Sequence, residues 1–101
     1  MKERLVSIII NCHNGEKYLF ETLKSIQNQK YRNFEVIFID NCSTDNTYKI
    51  FKNVKDRRFK YFKTKKKIKL YDARNFALKK CKGDFITFLD ADDWWNKHFL
   101  S

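Results

Sequence analysis

The run FEVIFI, Phe34 to Ile39, has one polar residue in six and no alternation. A strand with one face in water alternates apolar and polar side chains, so this run suits a strand covered by helices on both faces of a parallel sheet. RLVSIII, Arg4 to Ile10, reads as a second buried strand, and DFITFL, Asp84 to Leu89, as another. RFKYF, Arg58 to Phe62, is shorter and more polar, which fits a sheet edge. The stretches between these runs have helical spacing. In GEKYLFETLKSIQNQ, Leu19, Thr22, Leu23 and Ile26 recur on one helix face. STDNTYKIFKNV opens with Ser43, Thr44 and Asp45, good N-cap and first-turn residues, and its Thr47, Ile50, Phe51 and Val54 share a face. Leu70, Ala73, Ala77 and Cys81 mark a third helix, with Gly83 suited to its C-terminal stop. The order βαβαβαβ predicts an α/β fold, an open parallel sheet with flanking helices and right-handed crossovers.

A chain of 101 residues, 43% hydrophobic, has room for one small domain with a real core. No apolar run approaches the roughly 18 residues of a membrane span. MKERLVSIII has charged residues, a short apolar run and no small-residue cleavage site, so it reads as a first strand, with a cytoplasmic location expected. Cys12, Cys42 and Cys81 form no CxxC pair, which argues against structural zinc and for free thiols. The net charge is +10, and much of the excess lies in KDRRFKYFKTKKKIK, from Lys55 to Lys69. That stretch reads either as a solvated, lysine-protected sheet edge or as a contact for an anionic membrane or nucleic acid. Lys, Asn, Ile, Phe and Tyr are abundant along the whole chain, which favours the solvated edge over an anionic partner and over nucleic acid in particular.

In open parallel sheets, ligands bind beyond the carboxyl ends of the strands, where the strand order reverses. Three polar clusters fall there. NCHN, Asn11 to Asn14, follows strand one; DNCSTD, Asp40 to Asp45, follows strand two; DADD, Asp90 to Asp93, follows strand four. Two unit charges about 5 Å apart repel by roughly 3 kcal/mol at an effective dielectric of about 20. Three crowded carboxylates must therefore stay in water, protonate or meet a cation. A solvated helix-start turn and a Mg²⁺ or Mn²⁺ site explain them equally well on spacing alone. The glycines tip the balance. Gly15 and Gly83 are the only two, and neither GxGxxG nor GxxxxGK[ST] is present. A phosphorylated ligand at this edge would need another counter-charge, and a divalent ion on Asp90 and Asp92 supplies it. Nucleophilic catalysis has little support. Cys12 and His13 should point to opposite sides of a strand, no GxSxG elbow occurs, and His98 suits a surface helix. Trp94 and Trp95 suit core or lid packing, and Asp93 a helix start.

VSIIINCHNGEKYL, FEVIFIDNCSTDNT and DARNFALKKCKGDFITFLDADD, in that order, resemble the start of a family 2 glycosyltransferase with the Rossmann-like GT-A fold. The likeness covers nearly the whole chain. It implies transfer of a sugar from a nucleotide-diphospho-sugar, with uridine the expected base, to an acceptor, with inversion and with Mg²⁺ or Mn²⁺. By motif, Asp92 would be the main metal ligand and Asp90 would lie near the metal or ribose. Asp40 and Asn41 match the acidic pair that holds base and ribose, His13 falls where an aromatic stands beside the base, and Arg74 matches an arginine near the nucleotide. Asn11 and Asn14 complete the expected donor-binding set. Two departures matter: the family commonly has aspartate at the Asn41 position, and tyrosine at the His13 position.

The acceptor-binding half and the catalytic base of this family lie downstream of the DxD motif. The chain ends eleven residues past Asp90, so the expectation is one truncated donor-binding domain over residues 1–101, with no catalytic residue of its own. The competing expectations are a non-catalytic nucleotide-binding fragment and a basic domain that binds nucleic acid or an anionic membrane. The acceptor, a saccharide or a lipid-linked group, is left open. A half-sheet is also expected to expose an apolar face and to self-associate.

Overall fold

The computed structural model describes residues 4–90. Strands β1 (Val6–Cys12), β2 (Phe34–Asp40), β3 (Phe59–Lys63) and β4 (Phe85–Asp90) alternate with helices α1 (Leu19–Gln27), α2 (Thr47–Asn53) and α3 (Leu70–Leu78). The four strands form one sheet in the order β3-β2-β1-β4, and every pairing is parallel. The chain adds strands outward from β1 to β3 and then returns through α3 to the far side of β1. The strand order therefore reverses between β1 and β4. The expected α/β sheet is present, with β3 at an edge as expected.

β2 is buried along its whole length, as its run without alternation required. Ile8, Ile10, Val36 and Phe38 pack against Leu19, Leu23 and Ile26 of α1 and Phe51 of α2 on one face. On the other face Ile9, Ile37 and Ile39 meet Ala73 and Ala77 of α3. The small alanines let α3 approach the sheet closely. Thr22 and Thr47 are buried, and Ile50 is half-buried against the first cluster. At the sheet margin β4 leaves Phe85, Ile86 and Phe88 exposed.

Some expectations from local pattern shift. β1 starts two residues later than Arg4 and runs on to Cys12, because its pairing continues through Asn11 and Cys12. α2 begins only at Thr47, after Asn46, so Ser43 and Thr44 are not its cap. Asp45 instead accepts a 2.9 Å bond from the Thr47 amide, while Ser43 and Thr44 are drawn into contacts between loops. α3 ends at Leu78, well before Gly83, and Leu70 is largely exposed at its first turn. Gly83 serves a close approach. A Cβ there would lie 2.5 Å from the Ser7 hydroxyl and 2.7 Å from the Ser7 amide nitrogen.

At the amino ends of the strands, buried Glu35 joins three elements. It accepts bonds from the Ser7 hydroxyl at 2.6 Å, the Lys82 amide at 2.6 Å and the Lys60 ammonium at 3.0 Å. This network explains why a charged residue interrupts FEVIFI. Cys12, Cys42 and Cys81 are free thiols.

Candidate functional site

Parallel pairing puts the carboxyl ends of β1, β2 and β4 side by side, and with them the first two polar clusters and Asp90. The register aligns Cys12 with Asp40 and Asn11 with Asp90. Neighbouring strands lie about 4.8 Å apart, so these residues share one short edge.

The loops after β1 and β2 are stitched to each other. The Asn14 amide donates to the Ser43 hydroxyl at 2.9 Å, and the Asn14 side-chain oxygen accepts from the Thr44 amide at 2.8 Å. The Gly15 amide donates to the Thr47 hydroxyl at 3.0 Å. Asn14 and Cys42 both have positive φ, 53° and 56°. Asparagine tolerates that region, whereas a cysteine there is strained. Both turns border the candidate site.

His13 projects from this stitched corner into solvent while Cys12 turns into the core, as a strand alternation predicts. The His13 Nδ1 lies 2.6 Å from the Asn41 carbonyl oxygen. A carbonyl only accepts, so Nδ1 carries the proton, and Nε2 is left to accept from the Asn14 side-chain amide at 3.4 Å. The exposed ring is thereby held in one orientation.

Asp40 is fully buried. One carboxylate oxygen accepts from the Ser43 amide at 2.9 Å and the other from the Tyr61 hydroxyl. Burial first, and then the bond to Asp40, push the Tyr61 hydroxyl above the ordinary tyrosine value, so it remains a donor. Burial and the Asp40 charge push the Cys12 thiol up to about 12, which keeps it protonated and unfit as a nucleophile.

Asn41 is 3% exposed, and its carboxamide faces the segment between β3 and α3. Its nitrogen donates to the Ile68 carbonyl at 2.8 Å, and its oxygen accepts from the Ile68 amide at 2.9 Å. The same nitrogen reaches the Asn11 side-chain oxygen at 3.4 Å. Asn11 thus stands between Asn41, just past the end of β2, and Asp90 on β4.

On the α3 face, the Arg74 guanidinium sits 4.7 Å from the centroid of the Phe88 ring. Ile9, Asn11, Leu70, Arg74, Phe88 and Leu89 line a shallow pocket there. The arginine is thus brought to the β1/β4 reversal, alongside Asn11 and next to the strand that ends in Asp90. Sequence reasoning missed Tyr61, Phe88 and the Ile68 main chain. Nothing local marks them, because each acts through a residue distant in the chain.

Asp92, expected as the main metal ligand, lies outside the described residues, as do Asp93, Trp94, Trp95 and His98. Of Asp90, the backbone alone is described. Among the described residues, no group of three His, Cys, Asp or Glu side chains could hold a metal ion. The carboxylate chemistry of Asp90 and Asp92 fits a hard divalent cation, which takes one or two carboxylates together with substrate phosphates. The basic stretch divides. Arg58 pairs with Asp56 and Lys60 with Glu35, whereas Lys65, Lys66, Lys67 and Lys69 lie exposed in the segment held by Asn41. Among the described residues, no helix is long and apolar enough to cross a membrane.

The family model described as Glycosyl transferase family 2 matches residues 7–101. UDP-Glc:alpha-D-GlcNAc-diphosphoundecaprenol beta-1,3-glucosyltransferase WfaP of Escherichia coli is 43% identical over 91 residues, covering 90% of this chain and 36% of that protein. The crystal structure of residues 1–349 of TarS from Staphylococcus aureus, in complex with UDP, superposes with a TM-score of 0.86 at 34% identity, covering 94% of this chain and 29% of that one. The mannosyltransferase PcManGT of Pyrobaculum calidifontis, in complex with GDP-Man and Mn²⁺, gives a TM-score of 0.81 at 26% identity, covering 89% of this chain and 28% of that one. The chain spans well under half the length of these relatives.

Proposed function

The chain belongs to glycosyl transferase family 2, and from that premise we propose that it forms the donor-binding part of a transferase. The transferase takes a sugar from a nucleotide-diphospho-sugar, with UDP as the nucleotide, and passes it with inversion to an acceptor. One observation carries the reading: Asn11, His13, Asp40, Asn41 and Arg74 gather at the carboxyl edge of the sheet, at the ends of the paired strands β1 and β2 and on the helix that crosses back to β4. That edge is where open parallel sheets take their ligands.

In this reading the His13 ring, fixed by the Asn41 carbonyl, offers a flat surface to the base. Asp40 and Asn41 shape the base and ribose pocket from within, and Asn14 holds the two loops together. Arg74 meets the negative charge of the diphosphate, with Phe88 beneath it. Asp90 and Asp92 would hold Mg²⁺ or Mn²⁺, which when bound would neutralise diphosphate charge. This is the counter-charge that a chain without a glycine cradle lacks. The diphosphoundecaprenol in the name of the Escherichia coli relative supports a lipid-linked acceptor, and hence a place at the cytoplasmic face of a membrane.

Calorimetric titration of the whole protein with UDP, with and without Mn²⁺, tests the proposal. Binding that strengthens with Mn²⁺ and is lost in Asp92→Ala is expected. Binding indifferent to the metal and to that substitution would overturn the metal-assisted reading.

A further inference from the structure

Asn41 spends its whole carboxamide on the protein. The group has two N–H donors and one oxygen with two lone pairs. Its donors go to the Ile68 carbonyl at 2.8 Å and the Asn11 side chain at 3.4 Å. Its oxygen accepts from the Ile68 amide at 2.9 Å and the Thr64 hydroxyl at 3.4 Å. The two bonds to Ile68 run in opposite directions to one residue's main chain, as two strands pair. They close a distance of 27 residues in sequence.

A second tie supports the first. The Thr64 amide donates to the Asp40 carbonyl at 3.0 Å. The segment from Thr64 to Ile68 is thus fastened at both ends to the corner that follows β2. The same corner carries the carbonyl that orients His13.

We propose that Asn41 is a positioning residue, which fixes residues 64–68 as the base-side wall of the donor site and does not itself contact the donor. This rests on the donor-site reading above. It also accounts for asparagine at a position where the resemblance leads one to expect aspartate. An aspartate has no donor for the Ile68 carbonyl and would set a negative oxygen against it, so the wall would detach. The carboxamide alone satisfies both main-chain groups at neutral pH.

Amide hydrogen exchange in the whole protein, read residue by residue, tests the anchor. In the unmodified protein the Ile68 amide should be protected. In Asn41→Asp it should exchange at least tenfold faster at neutral pH. Protection should return as the pH falls and the new carboxyl protonates, because a carboxylic acid again offers one donor and one acceptor. A merely structural role for the side chain would not produce that pH-dependent rescue at one amide. UDP affinity at neutral pH should fall about tenfold in Asn41→Asp. An Ile68 amide that exchanges freely in the unmodified protein overturns the anchor, even should the variant fail to fold. Unchanged protection in Asn41→Asp does so too. Equal UDP affinity in both forms, with the anchor lost, overturns the positioning role. Failure of UDP to bind the unmodified protein instead sinks the donor-site reading.

Discussion

The Ser7 hydroxyl donates a 2.6 Å hydrogen bond to the buried carboxylate of Glu35, from the neighbouring strand. The same hydroxyl accepts from the Gly83 amide at 2.8 Å, and Glu35 accepts from the Lys82 amide. One hydroxyl and one carboxylate thereby tie β1 and β2 to the turn that leads into β4. The amino end of the sheet is locked, and the carboxyl end is left for the site.

Glu35→Ala should destabilise the protein by about 3 kcal/mol, since it leaves the Lys82 amide and the Ser7 hydroxyl without their charged acceptor. Burial by itself would raise the Glu35 carboxyl, but the bonds from Lys82, Ser7 and Lys60 outweigh it and hold the value below the ordinary one. The folded value is depressed, so the stabilisation is present above the unfolded value and is lost as the pH falls through the folded one. Asp56 acts in the same direction. The Arg58 guanidinium, bonded at 2.6 and 2.9 Å, brings it down to about 2. Urea denaturation between pH 6 and 2 should show midpoints falling below roughly pH 4. In Glu35→Gln that fall should be shallower.

Gly83→Ala should be strongly destabilising despite its small size. The added carbon would meet Ser7 backbone and side chain and lie 2.9 Å from the Leu5 carbonyl. Backbone cannot rotate away, so a loss of about 2 kcal/mol or more in thermal or urea unfolding is expected. Ser7→Ala combined with Gly83→Ala should recover only part of it, because the backbone contacts remain.

Tyr61→Phe removes one of the donors that hold the buried Asp40 carboxylate. A buried charged acceptor that loses a partner costs about 1–3 kcal/mol. The Ser43 amide remains, so the protein should fold with a lowered urea midpoint. UDP affinity should fall as well, since the loop after β2 is built on that carboxylate. A variant with unchanged stability would mean that the Tyr61–Asp40 bond contributes nothing.

Arg74→Lys keeps the charge and loses the flat guanidinium that rests on Phe88. Stacked arginines are not replaced conservatively by lysine. UDP binding should weaken by about tenfold, with little change in unfolding midpoint because Arg74 is not a core residue. Phe88→Leu should weaken binding in the same direction but less.

Much of this protein was legible locally. Periodicity picked out the buried faces of α1 and α2, the alanine face of α3 and the strand that helices cover on both sides, because burial repeats at 3.6 residues in a helix and persists through a covered strand. The alternation of strands and helices implied a parallel sheet, and a parallel sheet sends every strand's carboxyl end to one edge. That alone placed Asn11, His13, Asp40, Asn41 and Asp90 together. Tertiary structure decided which of them face outward and what each holds. Asp40 turns inward to Tyr61, Asn41 to Ile68, and Gly83 serves a close contact instead of ending a helix. Those partners lie 21 to 76 residues away in sequence. No local pattern encodes them, because a buried polar group takes whichever partner the packed chain brings within about 3 Å.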